Sequence, residues 1–234
     1  MVYYTGDIHG EAAKILNFIS RFQLTQDDMI VILGDAGFNY YGDSRDKHLK
    51  RQLNEQGVPI LSVHGNHERR PQSLPGYAET AWCCGIVYKE DIYPNLLFAK
   101  DGEILNLDGM QSIVIGGAYS VDKYYRLQNG LRWFADEQPS QEIKEHVKSS
   151  LENAGWKVDT VLSHTCPAKY IPTEAFMSCV DQSTIDRSTE NWLDTIESRL
   201  SYNHWLCGHW HIDKRIDKIH FLMNGFEVLS KIIL

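Results

Sequence analysis

The sequence predicts an α/β fold, and three observations carry that reading. Apolar runs too short for helices, such as Met29–Leu33, Pro59–Val63 and Val158–Leu162, read as strands buried on both faces. Segments with apolar residues at helical spacing lie between such runs. Polar motifs rich in Gly, Asp, Asn and His follow several of the runs directly. Loops at the carboxyl ends of strands converge in open α/β sheets, so motifs far apart in sequence meet there.

Val2–Thr5 is short, β-prone and stops at Gly6. Residues 11–22 read as a helix with Ile15, Leu16, Ile19 and Phe22 on one apolar face. Met29–Leu33 ends at Gly34-Asp35. Ser44–Gln56 reads as a helix, opened by Ser and stopped by Gly57. Pro59–Val63 runs into His64-Gly65-Asn66-His67. Leu96–Ala99, Glu103–Leu107 and Ser112–Ile115 read as a meander, since Asp101-Gly102 and Asp108-Gly109 are hairpin signals. Pro139 and Ser140 open a helix to about Asn153, with Ile143, Val147 and Leu151 on its buried face. Val158–Leu162 delivers His164. Residues 189–200 form a helix with Trp192, Leu193, Ile196 and Leu200 inward. Asn203–Cys207 delivers His209 and His211, and Lys214–Leu234 reads as two or three closing strands. With no repeat, low-complexity tract or linker, one domain over residues 1–234 is expected.

A chain of 234 residues can bury a large core. The formal charge of −8 disfavours a non-specific binder of nucleic acid or of an anionic membrane. A bound metal pair would add local positive charge that this count misses. The N-terminus MVYYTGDIHG has neither a basic n-region nor an apolar h-region, so no cleavable leader is expected. No apolar run approaches the roughly 20 residues needed to span a bilayer. Cys83, Cys84, Cys166, Cys179 and Cys207 are odd in number and contain no C-x-x-C. A reduced, cytoplasmic protein without cysteine-bound zinc is expected.

Five segments carry metal-ligand chemistry: Gly6-Asp7-Ile8-His9-Gly10, Gly34-Asp35, Gly65-Asn66-His67-Glu68, Ser163-His164 and Gly208-His209-Trp210-His211. They supply seven ligand-type side chains, namely Asp7, His9, Asp35, Asn66, His164, His209 and His211, with His67 left over. Carboxylate, amide and imidazole donors suit Mn²⁺ first, and also Fe, Zn²⁺, Co²⁺ or Ni²⁺. Seven side chains with one shared Asp make four ligands per ion for two divalent metal ions. Such a pair can lower the pKa of a shared water and hold a phosphoryl oxygen during in-line displacement.

The ordered set G-D-x-H-G, G-D, G-N-H-E, H and G-H-x-H resembles the calcineurin-like metallophosphoesterases from Gly6 to His211. The resemblance implies a four-layer α/β/β/α sandwich, two mixed β-sheets flanked by helices. It implies that Asp7, His9 and His211 hold one metal, that Asn66, His164 and His209 hold the other, and that Asp35 bridges them. It gives His67 the role of acid toward the leaving oxygen. The attacking group would be the hydroxide bridging the dinuclear centre. Serine/threonine protein phosphatases carry G-D-x-V-D-R-G in the second block, whereas this chain has Gly34-Asp35-Ala36-Gly37-Phe38-Asn39. Its phosphate-gripping Arg must come from elsewhere, and Arg69, Arg70 and Arg45 are the candidates. The RNA lariat-debranching branch has a cysteine where Asp7 stands here. Gly116–Lys123 and Trp133–Pro139 also resemble segments of small bacterial and phage metallophosphoesterases of undefined substrate.

Each signal has a plainer explanation. Asp7 and His9 could sit in a solvated turn, Asp35 could cap a helix, and His67 could be a core histidine. The five blocks together outweigh these. Tyr119, Arg126 and their aromatic neighbours up to Trp133 could grip a phosphate or stack a base, or form a packed surface loop. Residues 168–187 are a lid, a substrate wall or an ordered connection. The expected function is hydrolysis of a small-molecule or protein phosphoester, phosphatase-type favoured. The alternatives are a phosphodiesterase or nuclease, and a non-catalytic scaffold, which would have lost ligands that this chain keeps. The oligomeric state is left open.

Overall fold

The structure, a computed structural model, describes residues 1–178 and 180–229. The expectations placed on Cys179 and on residues 230–234 lie outside those residues. Along the chain run β1 (Val2–Thr5), α1 (Ala12–Phe22), β2 (Met29–Ile32), α2 (Ser44–Asn54) and β3 (Ile60–Ser62). Then come β4 (Tyr77–Trp82), β5 (Gly85–Glu90), β6 (Leu96–Ala99), β7 (Ile104–Leu107), β8 (Met110–Ile115) and α3 (Lys123–Gln128). The remainder is α4 (Gln141–Asn153), β9 (Thr160–Ser163), α5 (Ser188–Glu197), β10 (His204–Cys207), β11 (Lys214–Ile216) and β12 (Ile219–Phe221).

The strands form two six-stranded mixed sheets, ordered β1-β2-β3-β6-β5-β4 and β11-β12-β10-β9-β8-β7. In the first sheet β1, β2, β3 and β6 are parallel. In the second, β8, β9, β10 and β12 are parallel. Side chains alternate across a strand. Ile30 and Ile32 accordingly pack with Ile15, Ile19 and Leu53 under α1 and α2, while Val31 joins Val114, Leu162 and Leu206 of the facing sheet. On the outer face of the second sheet, Val147 and Leu151 of α4 meet Leu193 and Ile196 of α5 over Val161 and Trp205. Helix, sheet, sheet and helix are thus four layers with three apolar seams. This is the expected α/β/β/α architecture.

The structure departs from the sequence reading at the meander and at Phe22. Leu96–Ala99 does not share a sheet with the two strands after it. All four of its residues are buried, and it pairs in parallel with β3 and antiparallel with β5. Asp101-Gly102 therefore carries the chain from one sheet to the other instead of making a hairpin, and only β7 and β8 form a hairpin there. Phe22, expected on the buried face of the first helix, is 53% exposed and packs on Phe18. The tail contributes two closing strands, β11 and β12, among the described residues, as expected.

Parallel pairing puts the carboxyl ends of β1, β2, β3, β9 and β10 on one edge of the sandwich. The loops that leave them are tied together. His9 N–H donates to Asp35 O at 2.8 Å, Gly208 N–H to His164 O at 3.0 Å, and Gly117 N–H to His64 O at 2.8 Å. A side chain at Gly208 would run into Asp7 Oδ1, and one at Gly65 into Asp35 Oδ1. The motif glycines thus make room for the neighbouring carboxylates.

Candidate metal centre

Asp7, His9, Asp35, Asn66, His164, His209 and His211 meet at that edge although they come from both sheets. Asp7, buried after β1, accepts the His209 backbone N–H at Oδ1 (2.9 Å). Its Oδ2 lies 3.2 Å from His211 Nε2 and 3.6 Å from His9 Nε2, and those two ring nitrogens are 3.0 Å apart. Donor atoms of Asp7, His9 and His211 therefore form one tight group, and those of Asp7, Asp35 and His164 form a second. Asp7 is common to both, and Asp35 of the second group also reaches toward His9 of the first. Asp35 Oδ1 accepts the His67 backbone N–H at 2.7 Å, while Oδ2 faces His9 Nδ1 at 3.8 Å and His164 Nε2 at 3.7 Å.

The second group has a hydrogen-bond pattern that calls for a cation. His164 donates Nδ1–H to Leu33 O at 2.7 Å, which fixes the ring with its Nε2 turned into the cluster. Asn66 donates Nδ2–H to Ser120 Oγ at 2.9 Å, so its Oδ1 points the other way as an acceptor. His164 Nε2 and Asn66 Oδ1 are 2.8 Å apart, and His209 Nδ1 is 3.0 Å from the same oxygen. A bare Nε2 lone pair facing that oxygen in a buried place is repulsive unless a positive charge, a bound ion or a second proton on His164, lies between them. The donor set, oxygen and imidazole nitrogen without thiolate, fits a borderline divalent ion.

The electrostatics agree. Burial alone would raise the Asp7 carboxyl, yet His211, His164 and His9 beside it hold it well below the usual carboxylate range. Burial, with His164 nearby, pushes His209 well down, whereas the hydrogen bond to Asp7 pulls His211 up. The backbone is unusual as well. His9, Asp35, His209 and His211 all have positive φ, at 45°, 49°, 64° and 52°. Non-glycine residues in the left-handed region cost roughly 1–3 kcal/mol each and cluster where function demands them.

The family model for calcineurin-like phosphoesterases matches residues 1–213. The chain belongs to that family. It is a hydrolase of phosphoric ester bonds, and its family works with divalent metals. A search of curated proteins gave no match. Among solved structures, the phosphopantetheinyl hydrolase PptH from Mycobacterium tuberculosis aligns with a TM-score of 0.44 and 12% identity, covering 95% of this chain and 87% of that one.

A cavity of about 900 Å³ opens over this cluster of candidate ligands in the phosphoesterase, with His67 in its wall. Burial lowers the His67 pKa, Asp35 opposes that, and Arg126 adds to it. The residues expected to grip substrate divide. Arg126, on α3, also lines the cavity, and its Nη2 is 3.4 Å from His67 Nε2. Its Nε donates to both Asp122 carboxylate oxygens at 2.8 Å, and Nη1 donates to Tyr40 OH at 3.0 Å. Tyr119 lines the cavity while largely buried. Arg45 stands at the rim, exposed, paired with Asp43 at 2.6 Å and stacked 3.4 Å over Tyr41. Arg69 and Arg70 do not line the cavity. Arg69 packs against Gly42. Arg70 is buried in an ion pair with Asp101 and donates Nε–H to Asp136 O at 2.9 Å. Pulling it out would strand the Asp101 charge.

Sequence reasoning missed the groups that orient Asn66. Ser120 Oγ donates to Glu137 Oε2 at 2.5 Å, and Trp133 Nε1–H donates to the same oxygen at 2.8 Å. Burial pushes the Glu137 carboxyl up, against these hydrogen bonds. The signal existed in the two segments, Gly116–Lys123 and Trp133–Pro139, that resemble other metallophosphoesterases. The structure brings them together beneath Asn66.

Proposed function

We propose that this phosphoesterase hydrolyses a phosphate monoester of an organic alcohol with two divalent ions, Mn²⁺ by preference. The observation that carries the reading is the convergence of the Asn66 amide oxygen with ring nitrogens of His164 and His209 beside the Asp7–His9–His211 group, with Asp35 Oδ2 facing both His9 and His164. In this reading Asp7, His9 and His211 hold one ion, Asn66, His164 and His209 the other, and Asp35 is shared. When bound, the ions supply Lewis acidity toward a phosphoryl oxygen and acidify water. Arg126 holds a second phosphoryl oxygen with a guanidinium already aligned by Asp122 and Tyr40. His67, fixed through its backbone N–H on Asp35, is the acid toward the leaving oxygen. Burial and Arg126 lower its pKa, so it acts in the fraction that an anionic substrate and Asp35 keep protonated.

A diesterase reading is favoured by one observation, the cavity size, which leaves room for a second ester arm. Side-by-side rates on a chromogenic monoester and diester separate the two, and a much faster diester reverses the monoester assignment. The central test is Asp35→Asn on Mn²⁺-reconstituted protein. Metal content and turnover are expected to fall together, whereas full activity in the variant would remove the shared-ligand role.

A further inference from the structure

The cavity is far larger than a phosphoryl group requires, and much of the wall around the metal ligands is apolar. Cavities of roughly 300–1,000 Å³ enclose most of a drug-sized molecule, and this one is about 900 Å³. Part of its wall comes from the chain between β9 and α5, which contains three single-turn 3₁₀ segments, Ala168–Tyr170, Thr173–Ala175 and Gln182–Thr184. Ile171, Phe176 and Ile185 face the cavity from this stretch, and Trp210 and Ile212 join them from the loop that carries His209 and His211.

These side chains are half-buried. Ile171, Trp210 and Ile212 rest partly on the core of the second sheet, but Phe176 and Ile185 belong to none of the three apolar seams among the described residues. Their apolar surface is turned to the cavity instead. The Phe176 ring is nonetheless held. Trp210 lies 6.2 Å away at a 34° tilt, and the Arg187 guanidinium sits 5.1 Å over the ring, itself anchored on Gln182 Oε1 at 3.0 Å. A preset apolar wall continuous with a metal centre is a binding surface for something attached to the phosphorus.

We propose that this wall binds the organic arm of the phosphoester, that the arm is apolar over several carbons, and that Phe176 and Ile185 set this specificity. The inference rests on the phosphoester-hydrolase reading of the metal centre. The substrate class is therefore a phosphate ester of an alkyl or arylalkyl alcohol, as distinct from a sugar phosphate or a phosphorylated polar side chain.

The test uses the full chain reconstituted with Mn²⁺ and the series ethyl, butyl, hexyl and 3-phenylpropyl phosphate, with the matching methyl diesters alongside. Alkanol leaving groups of similar acidity keep the chemistry constant, so kcat/KM along the series reports contact with the arm. It is expected to climb by as much as about fourfold per buried methylene. Phe176→Ala and, independently, Ile185→Ala are expected to cut the hexyl-to-ethyl ratio by at least about tenfold, with metal content and circular dichroism as folding controls. Hydrolysis of ethyl phosphate with a flat series overturns this inference and leaves the phosphoesterase reading standing. An unchanged ratio in both folded variants likewise overturns the role of the wall. Failure on every ester of the series while glucose 6-phosphate or phosphoserine is hydrolysed overturns this inference alone, and failure on those two as well overturns both.

Discussion

Arg126 enters the cavity with its guanidinium already fixed by Asp122 and Tyr40, so little conformational freedom is lost when it meets an anion. Hydrogen bonds to charged groups contribute about 1.5–3 kcal/mol. Arg126→Ala is therefore expected to lower kcat/KM about 10–150-fold with metal content unchanged. Arg126→Lys should not restore it, because a point charge cannot keep the two-oxygen grip on Asp122. Steady-state kinetics beside metal analysis checks this, and an unaltered kcat/KM in Arg126→Ala removes the residue from substrate binding. Arg126 was visible in the sequence only as one of several arginines. What separates it from Arg70 is a partner at distance, Asp101, which local spacing does not reveal. The left-handed backbone at His9, Asp35, His209 and His211 was hidden too, since glycine is the usual mark of that conformation and none of the four is glycine.

Elements buried on both faces were legible, and exposed ones were not. β1, β2, β3, β9 and β10 are apolar runs, and the ligand motifs follow them directly. The hairpin β4–β5 escaped notice because β4 is an edge strand of mixed polarity, and its turn is Cys83-Cys84 with φ of 47° and 70° instead of the usual Asn-Gly. α3 escaped because six residues without a buried side chain make no periodic pattern. The loops after β8 and before α4 matter more than either. Through Ser120, Glu137 and Trp133 they lock the Asn66 amide with its oxygen toward His164. Ser120→Ala frees that amide to turn its N–H groups toward the ion. The expected result is about 10–100-fold weaker binding of one of two metal ions, seen as a drop in stoichiometry toward one in a competitive metal titration. Two ions bound with native affinity in Ser120→Ala would mean that the amide is held by something else.

At the scale of the whole molecule, the metal-free protein carries several costs at a single edge. Two almost wholly buried carboxylates, Asp7 and Asp35, lie in one cluster, the Asn66 amide oxygen and the His164 ring nitrogen face each other, and four of the candidate ligands are left-handed. A formal charge of −8 adds weak repulsion that a cation pair relieves. The unfolded chain scatters the candidate ligands from residue 7 to residue 211 and cannot hold a pair of ions in the way proposed for the folded one. Binding to the folded state alone then stabilises it by RT ln(1 + [L]/Kd), about 2.7 kcal/mol at a hundredfold excess over Kd. For a domain of this size each kcal/mol moves Tm by about 2–4 °C. Mn²⁺ at that excess is expected to raise Tm by about 5–11 °C, and Asp35→Asn should abolish most of the shift. Differential scanning fluorimetry on chelated and Mn²⁺-loaded protein measures it. A Tm that stays constant across Mn²⁺, Zn²⁺, Fe²⁺, Co²⁺ and Ni²⁺ would mean that no ion binds the native state preferentially, and the metal assignment of all seven side chains would fall with it.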